Sequence, residues 1–330
     1  MAMMRRREAM AGAVAAGGVL AMPAVLQAQA SVIRWGEMLP ASHPQAQMID
    51  RIAAEVKEKS GGRVEIQSFP NGQLGSGKDM MDSVVSGALA FTTDGAAALG
   101  ALLPQLSVIE APYLWRDAAH MAKCSGSPLF ASMNADLVKK RGLRMLAVTY
   151  YGKRHLTSGS REVRNVGDMA GFKLRVPPVD TFRAMAEAWG AQATPINFNE
   201  LYLALSQGAV DGQENPLPTI ASAKLNEVQK YLVLTGHIIT PRLIIANDAA
   251  LQALPAADRA ILDAAIASAV AWQDAELARQ EGTLLGTFRT AGMTVIEPDV
   301  ESFRKPVLEQ VPPKFAEKWG NGSWDALAAL

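Results

Sequence analysis

Apolar positions along the chain recur first in short alternating runs and then at helical spacing, and this exchange repeats through most of the length. Residues 32–36 read as a short strand. Residues 44–60 carry Ile49, Ile52, Ala53 and Val56 at helical intervals until Gly61-Gly62 stops them. Residues 63–69 alternate as a second strand with Val64 and Ile66 on one face, 79–86 read as a helix, and 90–93 as a strand entering a turn region at 95–100. Further strands are expected at 143–149, 172–176 and 243–246. Strands interleaved with helices predict an α/β architecture. The longest periodic stretch, 256–290, keeps Ile261, Leu262, Ala265, Ile266, Ala269, Val270, Leu277, Leu284 and Phe288 on a helical repeat. At 1.5 Å per residue it reaches roughly 50 Å, more than one domain's width, so it is expected to span two lobes or to bend between them. Two consecutive helices broken near Gly282 are the alternative.

Length changes the picture, because 330 residues exceed what one core organises and imply two domains of roughly 150 residues. With 49% hydrophobic and 19% charged residues the chain can bury a substantial core. Thirty-two basic and thirty-two acidic side chains cancel, and no basic run follows the N-terminus, so nucleic acid is not an expected partner. Residues 1–30 read as an export signal: Arg5, Arg6 and Arg7 precede a small apolar stretch, and Ala28-Gln29-Ala30 has the form that signal peptidase cuts. Pro23 and the Ala/Gly content argue against a membrane anchor. The paired arginines resemble a twin-arginine signal, and the export route, general or twin-arginine, stays open. Removing three arginines and one glutamate leaves 29 basic and 31 acidic residues in the mature chain, so any preference for anions must be local. The one cysteine, Cys124, excludes an intrachain disulfide and a four-cysteine zinc site, and reads as a small buried apolar side chain on a helix.

Catalytic signals are weak. The run from Gly72 to Lys78 nearly completes a P-loop, but Asp79 stands where a hydroxyl should hold magnesium and would repel phosphates. His43, His120, His155 and His237 form no HxxxH pair, and no GxSxG elbow occurs. Two binding signals remain. Phe172-Lys173-Leu174-Arg175-Val176-Pro177 alternates apolar and basic side chains and ends on a proline, placing Arg175 near a strand's carboxyl end, where open α/β sheets bind ligands and a guanidinium can grip a carboxylate with two hydrogen bonds. In Asp211-Gly212-Gln213-Glu214-Asn215-Pro216, Asp-Gly signals a turn and Asn-Pro holds Asn215 extended with its amide presented as donor and acceptor; a plain loop is the alternative.

Together with Asn71-Gly72-Gln73-Leu74-Gly75, Gly152-Lys153-Arg154-His155-Leu156-Thr157-Ser158, the run from Phe198 to Leu205, and Leu254-Pro255, these segments resemble, in order, the signatures of the substrate-binding proteins of tripartite ATP-independent periplasmic (TRAP) transporters. The resemblance implies a two-lobed periplasmic binding protein fold of type II-like α/β class. Residues 31–151 plus 241–280 would form the first lobe, 152–240 plus 281–330 the second, and the 256–290 helix would bridge them. The receptor would close over a small organic acid, a sugar acid or a hydroxy or dicarboxylic acid, and deliver it to the membrane subunits of an ion-gradient-driven permease. It implies no cofactor and no metal, and a monomer is expected. By family position Arg175 would clamp the carboxylate, Arg154 would be a second cation, Asn215 a hydrogen-bonding partner and Phe198 an apolar wall. Members similar to the sialic-acid receptors carry acidic side chains where this chain has Ser76-Gly77 and Gly95, which speaks against sialic acid. Glu37 and Asp94, at strand ends, would accept hydrogen bonds from ligand hydroxyls, and His43 and Ser76 complete the candidate set. An exported enzyme, a receptor for another transporter class and a sensor subunit that presents ligand are the alternatives.

Overall fold

The structure is a computed structural model that describes residues 30–330; the export signal expected at 1–30 falls, but for Ala30, outside the described residues. Nine strands form one sheet: β1 (Ser31–Gly36), β2 (Val64–Phe69), β3 (Phe91–Gly95), β4 (Leu143–Ser158), β5 (Lys173–Val176), β6 (Gln192–Pro195), β7 (Gly212–Pro216), β8 (Tyr231–Asn247) and β9 (Thr294–Ile296). Their order is β2-β1-β3-β8-β4-β7-β5-β6, with β9 beside β8. The β4 and β8 strands run antiparallel over their whole lengths, from Leu143 opposite Asn247 to Ser158 opposite Tyr231. The β3 strand pairs with the carboxyl-terminal part of β8, from Phe91–Ala246 to Gly95–Arg242. On the other side β7 pairs with the carboxyl-terminal part of β4, from Arg154–Pro216 to Ser158–Gly212. Two long strands thus cross between two lobes and tie them into one sheet.

Both crossover strands are far longer than their sequence pattern suggests, and both are irregular where the lobes meet. Pro241 cannot donate a ladder hydrogen bond and would ordinarily end a strand. It faces Tyr150 at a register shift, where Tyr150 N donates instead to Asp274 Oδ1 at 2.9 Å. Gly152 follows with φ 126°, and a Cβ there would lie 2.6 Å from Pro216 Cβ, so only glycine fits the step. The segment 212–216 is the strand β7 and not the plain loop that was the alternative, because Asn215 is held extended by Pro216 and the strand finds β4 on one side and β5 on the other.

The helix Ala256–Thr290 runs unbroken through Gly282 and serves both lobes. Near its start Leu262, Ala265, Ile266 and Ala269 pack in one core with Trp35, Ile49, Ile52, Val56 and Ile244; near its end Phe288 joins a second with Leu201, Leu205, Ile220 and Leu232. Between them it grips the crossover: Gln273 Nε2 donates to Tyr150 O (2.7 Å), Lys153 N to Glu281 Oε1 (2.7 Å), and the Tyr150 hydroxyl to Glu281 Oε2 (2.7 Å). The helix Val300–Trp319 ties together segments far apart in the chain. Trp189 Nε1 donates to Phe303 O (3.0 Å) near its start, while Trp319 Nε1 at its end donates to Ser107 Oγ (2.9 Å). Among the described residues no helix is long and apolar enough to cross a membrane. Cys124 is buried, and that burial pushes its thiol up to about 12.

Candidate functional site

Alternation along β5 sends Leu174 and Val176 into the core and leaves Arg175 for the opposite face, one residue before the strand ends at Val176 ahead of Pro177. Arg175 is only 2% exposed and lines a cavity of about 80 Å3 between the lobes. Nε and Nη2 both donate to Ile196 O, at 2.8 and 2.6 Å. A guanidinium carries five N–H donors, so about three remain for a ligand. Among the described residues no carboxylate lies within ion-pair range of Arg175. Burial lowers it to about 10, opposed by the charge of Glu214, and it stays a cation at neutral pH.

Arg154, on β4, lines the same cavity but has a partner. Its Nε donates to Glu214 Oε2, and its Nη2 to Glu214 Oε1 (2.8 Å), Glu214 O (2.7 Å) and Asn215 Oδ1 (3.1 Å). The pair is almost fully buried, and the Arg154 guanidinium lies over the Phe182 ring at 5.1 Å. Burial would raise the Glu214 carboxyl, but the Arg154 charge, together with hydrogen bonds from His237 and Arg154, holds it down at about 2. Burial keeps His237 neutral, with Nε2 on Glu214 Oε2 (2.9 Å) and Nδ1 on Thr235 Oγ1 (2.8 Å). Asn215 faces the cavity, its Oδ1 on Arg154 and its Nδ2 donating to Gln213 Oε1 at 2.5 Å.

The first lobe supplies the opposite wall with Met38, Leu39, Asp94, Gly95, Ala98 and Glu110, while Thr240 and Arg242 reach it from β8. Asp94 Oδ1 accepts from Gly95 N (2.8 Å), and burial raises its carboxyl against the pull of Arg242. Glu110 Oε2 accepts from Ala97 N at 2.9 Å. Burial pushes that carboxyl up to about 7, against the Ala97 N–H and the charges of Arg154 and Arg242, with Asp94 adding to the rise. Arg242 donates to Thr93 O, pairs with Glu37 Oε1 at 3.3 Å and stands over the Tyr151 ring at 5.2 Å. Its Nε and the Thr240 hydroxyl are buried with no hydrogen-bond partner among the described residues.

Of the residues singled out from sequence, Arg175, Arg154, Asn215, Phe198 and Asp94 are brought together around the cavity. Glu37 stands behind the wall, its Oε1 accepting from Leu39 N (3.0 Å) beside Arg242, and burial raises its carboxyl. His43 does not reach the cavity: Nδ1 caps the helix Pro44–Lys59 by accepting from Gln45 N (3.0 Å), and Nε2 meets Thr219 Oγ1 at 3.3 Å. Ser76 is likewise a cap, for the helix Gly77–Ser86, and its hydroxyl and N–H both donate to Asp79 Oδ2 (2.7 and 2.9 Å). That carboxylate sits where the near-P-loop would need room for phosphate. The sequence reading missed Glu110, Tyr151, Thr240 and Arg242. Arg242 sits after Pro241, a residue that disguises the strand, and Glu110 sits at the end of an irregular 3-10 segment whose spacing carries no signal.

Buried cations held between two lobes that share one sheet, braced by a common helix, are the architecture of a solute-binding receptor. The comparisons narrow the class: the chain belongs to the bacterial extracellular solute-binding protein family 7, which matches residues 35–318. It is a periplasmic substrate-binding protein of the TRAP type. A solute-binding protein of Verminephrobacter eiseniae is 33% identical over 280 residues, 84% of this chain and 83% of that one. The sialic acid-binding periplasmic protein SiaP of Vibrio cholerae is 32% identical over 279 residues, 84% of this chain and 86% of that one. A TRAP periplasmic solute-binding protein from Polaromonas sp. JS666, solved bound to D-erythronate, superposes with a TM-score of 0.86 at 31% identity, covering 91% of this chain and 99% of that one.

Proposed function

We propose that the cavity binds one small hydroxylated monocarboxylate of the sugar-acid type, with Arg175 as the carboxylate clamp, and that the protein releases it chemically unchanged to its permease. The observation that carries this reading is the state of Arg175: a buried cation with no carboxylate partner and about three donors left over. Arg154 contributes differently, since Glu214 already balances its charge; it fixes Asn215 and part of the wall. The opposite wall carries Asp94 and Glu110, which favour hydroxyl donors over a second carboxylate. At about 80 Å3 the space admits roughly five to eight water-sized groups, the scale of a short acid. The D-erythronate bound by the Polaromonas relative is an acid of this kind. We place the lobe division on the crossover strands, at 151/152 and 240/241, beside the register shift at Tyr150.

A thermal-shift screen of four- to six-carbon aldonates, hydroxy acids and dicarboxylates tests the reading. A ligand that binds the native state alone adds about 2.7 kcal/mol of apparent stability at a hundredfold excess over Kd. Stabilisation by an aldonate with one site per chain, and recovery of the acid unaltered, is the expected result. Preferential stabilisation by an unhydroxylated dicarboxylate, or consumption of the acid, would overturn it.

A further inference from the structure

At Gly95 the cavity wall has no side chain of its own, and the space is filled from elsewhere in the chain. A Cβ at position 95 would collide with Glu110 Oε2, and would lie 3.0 Å from Oε1 and 3.1 Å from Cδ. The Gly95 φ is not in the left-handed region, so glycine is not required there by backbone conformation. It is required by the carboxyl group of Glu110, fifteen residues further along, which seats itself against the bare backbone. Oε2 is held by Ala97 N–H at 2.9 Å. Oε1 has no hydrogen-bond partner among the described residues, and Glu110 lines the cavity although only 4% exposed. Oε1 is not sealed in the interior as the orphaned Thr240 and Arg242 atoms are, so it is the oxygen open to the cavity and free to accept a hydrogen bond there. Thr240 and Arg242 line the same cavity with their own unpartnered polar atoms.

We propose that Glu110 is a specificity-determining residue of the cavity: its Oε1, positioned through the gap left by Gly95, hydrogen-bonds a hydroxyl of the bound acid and so selects hydroxylated over plain carboxylates. This rests on the reading that Arg175 holds an organic acid. Asp94, Arg154 and Arg242 also face Glu110, and Ala97 N–H fixes which oxygen is free. Replacement by Gln keeps the shape but removes the charged acceptor: its single oxygen is claimed by Ala97 N–H, and the amide nitrogen turned to the cavity can only donate to the hydroxyl, so a charge-assisted bond is exchanged for a weaker neutral one.

The test is competition calorimetry at pH 8, where the Glu110 carboxyl is largely ionised, with D-erythronate and L-galactonate as hydroxylated probes and butanoate and hexanoate as their plain counterparts. Wild-type protein is expected to prefer a hydroxylated probe. In Glu110→Gln that preference should fall about tenfold or more, through weaker binding of the hydroxylated acid while the plain acid binds as well or better. Gly95→Ala leaves Glu110 in the chain but displaces its carboxyl, and should lower the same ratio without a further loss in the double variant. Equal loss for both probe classes, or an unchanged ratio in a folded Gly95→Ala protein, would overturn the assignment of Glu110 and leave the receptor reading intact. Wild-type protein that binds none of the acids would overturn both.

Discussion

Replacing Glu214 by Gln keeps the shape of the side chain and removes the charge that balances Arg154. The two side chains are 5% and 0% exposed, so neither can turn to water when the other is neutralised. Breaking a buried pair from one side costs about 3 to 5 kcal/mol, because the remaining charge is stranded. Linkage gives a comparable figure: a carboxyl held at about 2 in the folded protein, against about 4.5 when unfolded, contributes ~3 kcal/mol at neutral pH. The sign follows from the depressed value. The contribution is complete above the unfolded value and is lost as pH falls towards the folded one, with ~2 kcal/mol gone by pH 3. Urea unfolding followed by circular dichroism at pH 7, 5, 4 and 3 measures it. Glu214→Gln should be less stable by ~3 kcal/mol at pH 7, and the gap should narrow steadily between pH 5 and pH 3. A gap below about 1 kcal/mol at pH 7, or one that stays constant down to pH 3, would refute the reasoning.

Two further outcomes are expected. The lobes must open to exchange ligand, because the three cavity arginines are at most 4% exposed and a Cβ on Gly72 would stand 2.5 Å from Asn199 Nδ2 of the other lobe; small-angle scattering should show a larger radius of gyration without ligand than with it, and equal radii would count against hinge closure. Gly152→Ala, which sets a Cβ against Pro216 at φ 126°, should lower stability by about 1 to 3 kcal/mol in a thermal or urea melt, and a neutral substitution would mean that the crossover is not held as described.

The short strands and the long helix were legible because their patterns are local. Val64 and Ile66 alternate, and Leu262, Ala265, Ile266 and Ala269 recur at helical spacing, so one buried face announces each element. The crossover strands were not legible at full length, since β8 is buried nearly throughout, and a run without alternation that contains Gly236 and Pro241 has no strand signature. Arg175 and Asn215 could be found because Pro177 marks the end of the strand that carries the first and Pro216 holds the second extended. Glu110, Thr240 and Arg242 could not, because their meeting depends on β3, β8 and the irregular segment after Gly95 folding against one another. His43 and Ser76 show the converse: a polar residue just before a helix satisfies the helix first.

The central claim is that Arg175 holds the carboxylate of the ligand, and calorimetric titration of Arg175→Ala beside the wild type, with the acid found by thermal shift, tests it most directly. Removing the guanidinium leaves a buried ligand carboxylate unpaired, at a cost of about 2 to 5 kcal/mol, or roughly 30-fold to several-thousand-fold in Kd. Arg175→Lys should recover only part of this, since an ammonium cannot hold Ile196 O and also present two parallel donors. An Arg175→Ala protein that keeps its circular dichroism spectrum and loses affinity on that scale is the predicted result; one that folds normally and binds the acid as tightly as the wild type would contradict the account.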